Sequence, residues 1–166
     1  GTKWWPEYSE LWGGAFGGHP WGKTGTWRIQ NYDPRHALNK CFHGDGFGIN
    51  DELYRQVHPY RKGCFRTLTC IDLSAKQNTH NNNGKIKTVP PEKERKPGEP
   101  KPANVPLNLE REYPTSWCKK AGKGRVFYAT FGHNESAYRD PKIVEHYLRG
   151  LQYVLGDLDA DDASDR

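Results

Sequence analysis

The stretch 112–156, EYPTSWCKKAGKGRVFYATFGHNESAYRDPKIVEHYLRGLQYVLG, decides how the chain folds. Within it, RVFYATF (125–131) is β-branched, aromatic or small after its first residue. Such a run fits a strand buried on both faces, as in a parallel sheet. Ala121-Gly122-Lys123-Gly124 supplies a turn before it, and Thr115 to Lys119 reads as an antiparallel partner. Asp140 suits an N-cap and Pro141 the first helical position. Ile143, Val144, Tyr147, Leu148, Leu151, Val154 and Leu155 recur near every 3.6 residues, which predicts a helix with one apolar stripe lying on the sheet. Gly156 is its natural stop. Gly132-His133-Asn134-Glu135 falls where the strand ends. In open α/β sheets ligands sit outside the carboxyl ends of strands, so His133 and Glu135 are a candidate site.

The rest of the chain bounds what that site can serve. At 166 residues it has the length of one domain. Apolar content is 34% and mean hydropathy is −1.00, both low for a self-sufficient globule. Eighteen glycines and twelve prolines predict much loop, while six Trp, nine Tyr and six Phe exclude a fully disordered chain. The net charge is +5, and the run KIKTVPPEKERKPGEPK (85–101) mixes both signs with prolines and no aromatics. It reads as a solvated loop and not as a nucleic-acid patch. No stretch reaches the length of a membrane span. The chain holds no Met and starts at Gly1, which reads as a fragment, a processed chain or the product of an incomplete gene. Residues 157–166 are acidic and read as a linker toward further domains or as a frayed tail. Cys41, Cys64, Cys70 and Cys118 form no C-x-x-C pair. Cys64 and Cys70 lie about 20 Å apart on an extended strand, too far to bridge, whereas a Cys41–Cys118 pair stays open, as does the redox compartment.

Nearer the N-terminus, WWPEYSELW (4–12) predicts a short helix started at Pro6 and stopped by Gly13-Gly14. The glycine-rich GGAFGGHPWG (13–22) allows close backbone approach and positive φ. Gly17 and Gly22-Lys23-Thr24 match the letters of a phosphate loop. The context does not, because a strand-like TGTWRIQNY follows where a helix is required. Residues 26–32 and 65–73 predict strands, and 47–54 an extended piece. Residues 74–111 form a long polar excursion, with poor order expected around 76–104.

WPEYSELWGGAFGGHPWG (5–22), DELYR (51–55) and GKGRVFYATFGHNE (122–135), in that order, resemble the ThuA-like family, named for trehalose utilisation. The likeness covers most of 4–156 apart from the excursion. It implies a class I glutamine amidotransferase-like, flavodoxin-like α/β fold. Residues 1–156 would then be the C-terminal portion of an incomplete domain, with 74–111 as an inserted loop. The resemblance also implies a small-molecule sugar or sugar derivative as partner.

Two imidazoles and a carboxylate from three separate segments can share one crevice. His133, Glu135 and Glu52 are the candidate catalytic groups, with Glu135 orienting His133. His19, Trp21, Asp51 and Tyr54 are candidate substrate contacts. Imidazole titrates near neutrality and suits acid–base work on a sugar hydroxyl, and aromatic rings suit sugar faces. The same nitrogen and oxygen donors suit a divalent metal such as zinc, with His19 and His133 as ligands. Two rival readings stand beside this. One is an amidotransferase-like acyl transfer whose nucleophile lies in a missing N-terminal half; the His-x-Glu spacing of 133–135 is its support. The other is a non-catalytic carbohydrate-binding or scaffolding module.

Overall fold

Residues 5–57, 63–80 and 112–165 are described here from a computed structural model. The chain opens with α1 (Pro6–Trp12), whose Pro6 stands in the first turn and whose Gly13 closes it at φ 103°. After β1 (Ala15–Phe16) come β2 (Thr26–Asn31), a 3-10 turn over Ala37–Phe42, β3 (Phe47–Asn50) and β4 (Gln56–Val57). Then follow β5 (Arg66–Ile71), the single helical turn α2 (Lys76–Thr79), β6 (Pro114–Ala121) and β7 (Gly124–Ala129). A second 3-10 turn (Glu135–Arg139) leads into α3 (Pro141–Leu155). From residue 81 the long excursion expected over 74–111 lies outside the described residues. Among the described residues, no helix is long and apolar enough to cross a membrane.

The strands form a five-stranded sheet in the order β3-β2-β5-β6-β7, and β1 pairs separately with β4. Every one of these pairings is antiparallel. The chain is therefore a mixed α/β domain, but the parallel, flavodoxin-like sheet expected around 125–131 is not what these strands build. The reason lies in the hairpin. Ala121 pairs with Gly124 across a two-residue turn with Gly122 at φ 60°, and so short a connection can only return the chain antiparallel. The apolar character of β7 on both faces has another cause, because each face is covered by a helix. Tyr128 meets Trp12 of α1 at a tilt and stacks on Trp117, at 4.8 and 4.0 Å between ring centroids. On the other side Phe127 meets His146 of α3 at 5.1 Å.

α3 begins and ends as its sequence predicts. The Asp140 carboxylate accepts the Lys142 N–H at 2.9 Å, and Gly156 takes the left-handed conformation at φ 92°. Its burial corrects the expected stripe. Ile143, His146, Gly150 and Tyr153 are the buried positions, whereas Val144, Leu148, Leu151, Val154 and Leu155 face outward. Gly150 explains the choice. A Cβ there would stand 2.3 Å from the Phe127 ring, so α3 seats on β7 through its glycine.

His146 is fully buried at the centre of this packing. Its Nδ1–H donates to the Leu38 carbonyl at 3.0 Å, which leaves Nε2 to accept the Ser116 hydroxyl at 3.0 Å. The chain continues through Thr69, whose Oγ1 lies 2.6 Å from Ser116 Oγ and 2.7 Å from Thr115 Oγ1. Burial pulls the imidazole down to about 4, outweighing the Leu38 carbonyl, which favours the proton.

The acidic end is neither free nor frayed over the described residues. Asp165 accepts the Thr67 N–H at 2.9 Å and its own N–H donates to the Phe65 carbonyl at 3.1 Å. The Tyr153 hydroxyl donates to Asp162 at 2.9 Å, and Arg66 lies 3.7 Å from Asp161. The His36 ring joins this contact. Its Nδ1 accepts the Leu38 N–H, so Nε2–H donates to the Asp161 carbonyl at 2.7 Å. Cys41 and Cys118 are both buried thiols, so the open Cys41–Cys118 pairing does not form.

Two outcomes follow for stability. Gly150→Ala is expected to lose about 2 kcal/mol by overpacking, although helix propensity alone favours alanine by about 1 kcal/mol; urea denaturation of the two proteins decides. His146 is neutral in the fold, so the unfolded chain binds the proton first as pH falls. Its stabilising contribution is complete above about pH 6.5 and drains away toward pH 4, a loss of about 3 kcal/mol. Denaturation measured across that interval should show the slope, and His146→Gln should flatten it.

Candidate functional site

The site is built around the end of β3. Asn50 is its last residue, and the next, Asp51, is completely buried. Its carboxylate accepts the Gly132 N–H at 2.6 Å, the Asn134 N–H at 2.7 Å and the Glu52 N–H at 2.9 Å. Three donors nearly fill the lone-pair capacity of a carboxylate. Gly132, just past β7, holds φ 118°, and a Cβ there would stand 2.3 Å from the Tyr138 hydroxyl. Asn134 completes the clasp by donating from Nδ2 to the Lys23 carbonyl at 2.8 Å. The turn over 132–134 is thereby fixed against the chain at 50–52.

The glycine-rich loop is fixed by a different device. It runs antiparallel to 53–57. Phe16 pairs with Gln56, the Gly17 N–H meets the Arg55 carbonyl, the Arg55 N–H meets the Gly18 carbonyl, and the Leu53 N–H meets the Trp21 carbonyl, these three bonds each 2.8 Å. The Arg55 guanidinium adds a bond to the Gly17 carbonyl at 2.8 Å. Gly18 sits at φ 127°, a conformation that suits glycine, immediately before His19.

These two devices bring distant side chains together. Glu52 Oε2 lies 3.8 Å from His19 Nδ1, and Glu52 Oε1 lies 3.7 Å from His133 Nδ1. Both separations are longer than hydrogen bonds and become ion pairs only when the imidazole is protonated. The Glu52 side chain is 16% exposed, His133 37% and His19 57%, so the carboxylate sits at the back and the imidazoles at the front. The His19 ring stacks on Phe16 at 6.1 Å, and Phe16 meets Tyr54 edge-on at 5.4 Å. Burial, and then the nearby Glu52 and Asp51 charges, raise the Tyr54 phenol above its ordinary value.

Of the residues singled out from sequence, His19, Glu52, His133 and Tyr54 gather here. Trp21, Asp51 and Glu135 do not join this cluster. Trp21 is completely buried, with its indole N–H on the Asn78 carbonyl at 3.1 Å and its ring edge-on to Tyr113. Asp51 is a brace, because its buried carboxylate accepts three backbone N–H groups. Glu135 points outward at 91% exposure and pairs with Arg139 one turn on at 3.4 Å. Glu52, and not Glu135, is the carboxylate beside His133. Phe16 was missed in the sequence, although it lies in the quoted glycine-rich run. Among the described residues, no group of three or more His, Cys, Asp or Glu side chains has metal-holding geometry.

The family model described as "ThuA: Trehalose utilisation" matches residues 1–154. The chain belongs to the ThuA family. No curated protein and no solved structure matches it. All three stretches that resemble the ThuA family contribute to the site: the glycine-rich loop gives Phe16 and His19, DELYR gives Glu52 and Tyr54, and the strand-end turn gives His133.

Asp51→Asn places an amide N–H against backbone N–H donors and removes the buried charge. It is expected to cost about 3 kcal/mol, measured by chemical denaturation. It should also free the turn over 132–134, read as a changed chemical shift of the His133 ring.

Proposed function

We propose that this ThuA-family chain binds a small sugar or sugar derivative at the Phe16–Tyr54 wall and performs acid–base chemistry on one of its hydroxyls with His133 and His19. The observation that carries the reading is the placing of one sheltered carboxylate, Glu52, beside the Nδ1 atoms of two partly exposed imidazoles. A carboxylate at Nδ1 favours the tautomer with its proton there, leaving Nε2 to accept a proton from a hydroxyl. It then stabilises the imidazolium that results, which is the role of the orienting acid wherever histidine acts as a general base. With two imidazoles on one carboxylate, one can take a proton while the other returns one. The rings of Phe16 and Tyr54 offer the apolar surface that a sugar face needs. The description of the family by trehalose utilisation supports a disaccharide as the substrate to try first.

The amidotransferase-like reading finds less support in the described residues. Burial pushes the Cys41 and Cys118 thiols up to about 12 and the Cys70 thiol well above its ordinary value, the reverse of what a thiolate nucleophile needs. Cys64 precedes β5 at the end of the sheet away from Glu52, as the strand register requires.

The test is turnover and calorimetric binding over a panel of disaccharides, trehalose first. His133→Ala and Glu52→Gln should each reduce turnover by about a hundredfold while the circular dichroism spectrum stays unchanged. Undiminished turnover in both variants would remove the proposed centre. Binding without turnover in the unaltered chain would make it a carbohydrate-binding module. Zinc belongs in the same assay: a metal-dependent rise abolished by His19→Ala and by His133→Ala would turn the imidazoles from proton carriers into ligands.

A further inference from the structure

The Asp51 clasp sets Glu52 against His133, and a second tie continues from it to the wall of the site. It begins with the strand register. Phe16 pairs with Gln56, and Trp21 with Leu53. Four residues, 17–20, therefore run opposite only two, Tyr54 and Arg55. The two extra residues make a bulge, a feature that re-aims side chains beside active sites. His19 lies in it, followed by Pro20, which has no N–H to leave unpaired.

The bulge leans on Tyr54. The Leu53 and Arg55 N–H groups point toward the glycine-rich loop and bond there. Tyr54, between them, turns its N–H to the other side, as alternate residues of an antiparallel strand do. It donates to the Thr130 hydroxyl at 3.3 Å. Thr130 follows β7 directly and is buried, with its own N–H on the Thr115 carbonyl at 2.9 Å. Its hydroxyl hydrogen meets the Tyr128 phenol oxygen, which also takes the Gln56 Nε2–H at 2.7 Å. One hydroxyl thus accepts from Tyr54 and donates to Tyr128, a combination open to threonine and serine and closed to valine. From Tyr54 the contact passes edge-on to Phe16, and by stacking from Phe16 to His19.

We propose that Thr130 is a positioning residue, whose hydroxyl sets Tyr54 and, through Tyr54, the sugar-binding wall and the bulge that carries His19. Its part in binding rests on the sugar reading of that wall given above. The end of β7 then fixes the site twice. The turn over 132–134 meets Asp51 and seats the Glu52–His133 pair, while Thr130 seats the surface that holds the sugar.

Thr130→Val keeps the shape of the side chain and removes its hydrogen bonds. Calorimetry and turnover with trehalose are read beside the magnetic resonance of the Tyr54 amide and of the His19 and His133 rings. In Thr130→Val the trehalose dissociation constant and KM should rise about fivefold, the size of one hydrogen bond. The fall in kcat should be smaller, because the Glu52–His133 pair keeps its clasp. The Tyr54 amide and the His19 ring should shift while the His133 ring stays, and Thr130→Ser should restore every reading. A fall in kcat at unchanged KM overturns the proposal, as does a loss that serine fails to repair. A His133 ring displaced as far as that of His19 also overturns it. The resonances separate two failures: if no form of the chain binds trehalose, the sugar reading falls, while unmoved Tyr54 and His19 signals in Thr130→Val are what remove Thr130 from its role. Should Thr130→Val not fold, hydrogen exchange in the unaltered chain decides. The Tyr54 amide should be protected to within about tenfold of the Leu53 and Arg55 amides, and free exchange there overturns the tie.

Discussion

The Asp51 carboxylate is the contact on which the rest of the site depends. One buried anion gathers backbone N–H groups from two segments that lie about eighty residues apart in the chain. Neither segment has its own reason to hold that shape. The turn over 132–134 has a glycine in a left-handed conformation, and the chain at 50–52 has just left a strand. Joined through Asp51, they set Glu52 and His133 on facing sides of one gap. A buried carboxylate is tolerated only when its oxygens are satisfied, and here that demand and the positioning of the site are met by the same bonds.

Much of this was legible in the sequence, for identifiable reasons. The ends of α3 were readable because Asp140, Pro141 and Gly156 act locally, through bonds within a residue or two. The hairpin of β6 and β7 was readable from its short turn. His19, Glu52 and His133 could be placed together because three glycine- or turn-bounded segments carried them, and the likeness to the ThuA family put those segments in order. What failed depended on what lies across space. The sidedness of α3 misled because seven large apolar residues outvote a glycine in any periodicity, yet close approach to Phe127 made the glycine decisive. The direction of the sheet misled because a run apolar on both faces reports only that both faces are covered. Asp51 and Glu52 were adjacent acids with nothing in the sequence to separate the brace from the reacting group. Glu135, with its attractive spacing from His133, is carried outward by the 3-10 turn that follows.

The two faces of the sheet are filled by unlike materials. Toward α1 the packing is aromatic, with Phe65, Trp117, Tyr128 and Trp12 layered on one another. Toward α3 the rings of Phe42, Phe127 and Phe131 surround the imidazole of His146, and its hydroxyl partners lie among them. Rings on both sides explain how a chain with little aliphatic content still forms a core, and on the second side satisfied polar groups share the space with them.

The hydroxyl chain on that second side also acts on folding fidelity. Thr69 stands opposite an irregularity in the pairing of β5 with β6, where it touches Thr115 and Ser116 together. A slip of one residue would turn these hydroxyls to the opposite face and push Trp117 against the imidazole of His146. Hydrophobic strands often tolerate sliding because one aliphatic residue replaces another. These two cannot, since the misaligned state strands polar groups in a dry interior, so the bulge serves as a proofreading mark for the central pair of strands.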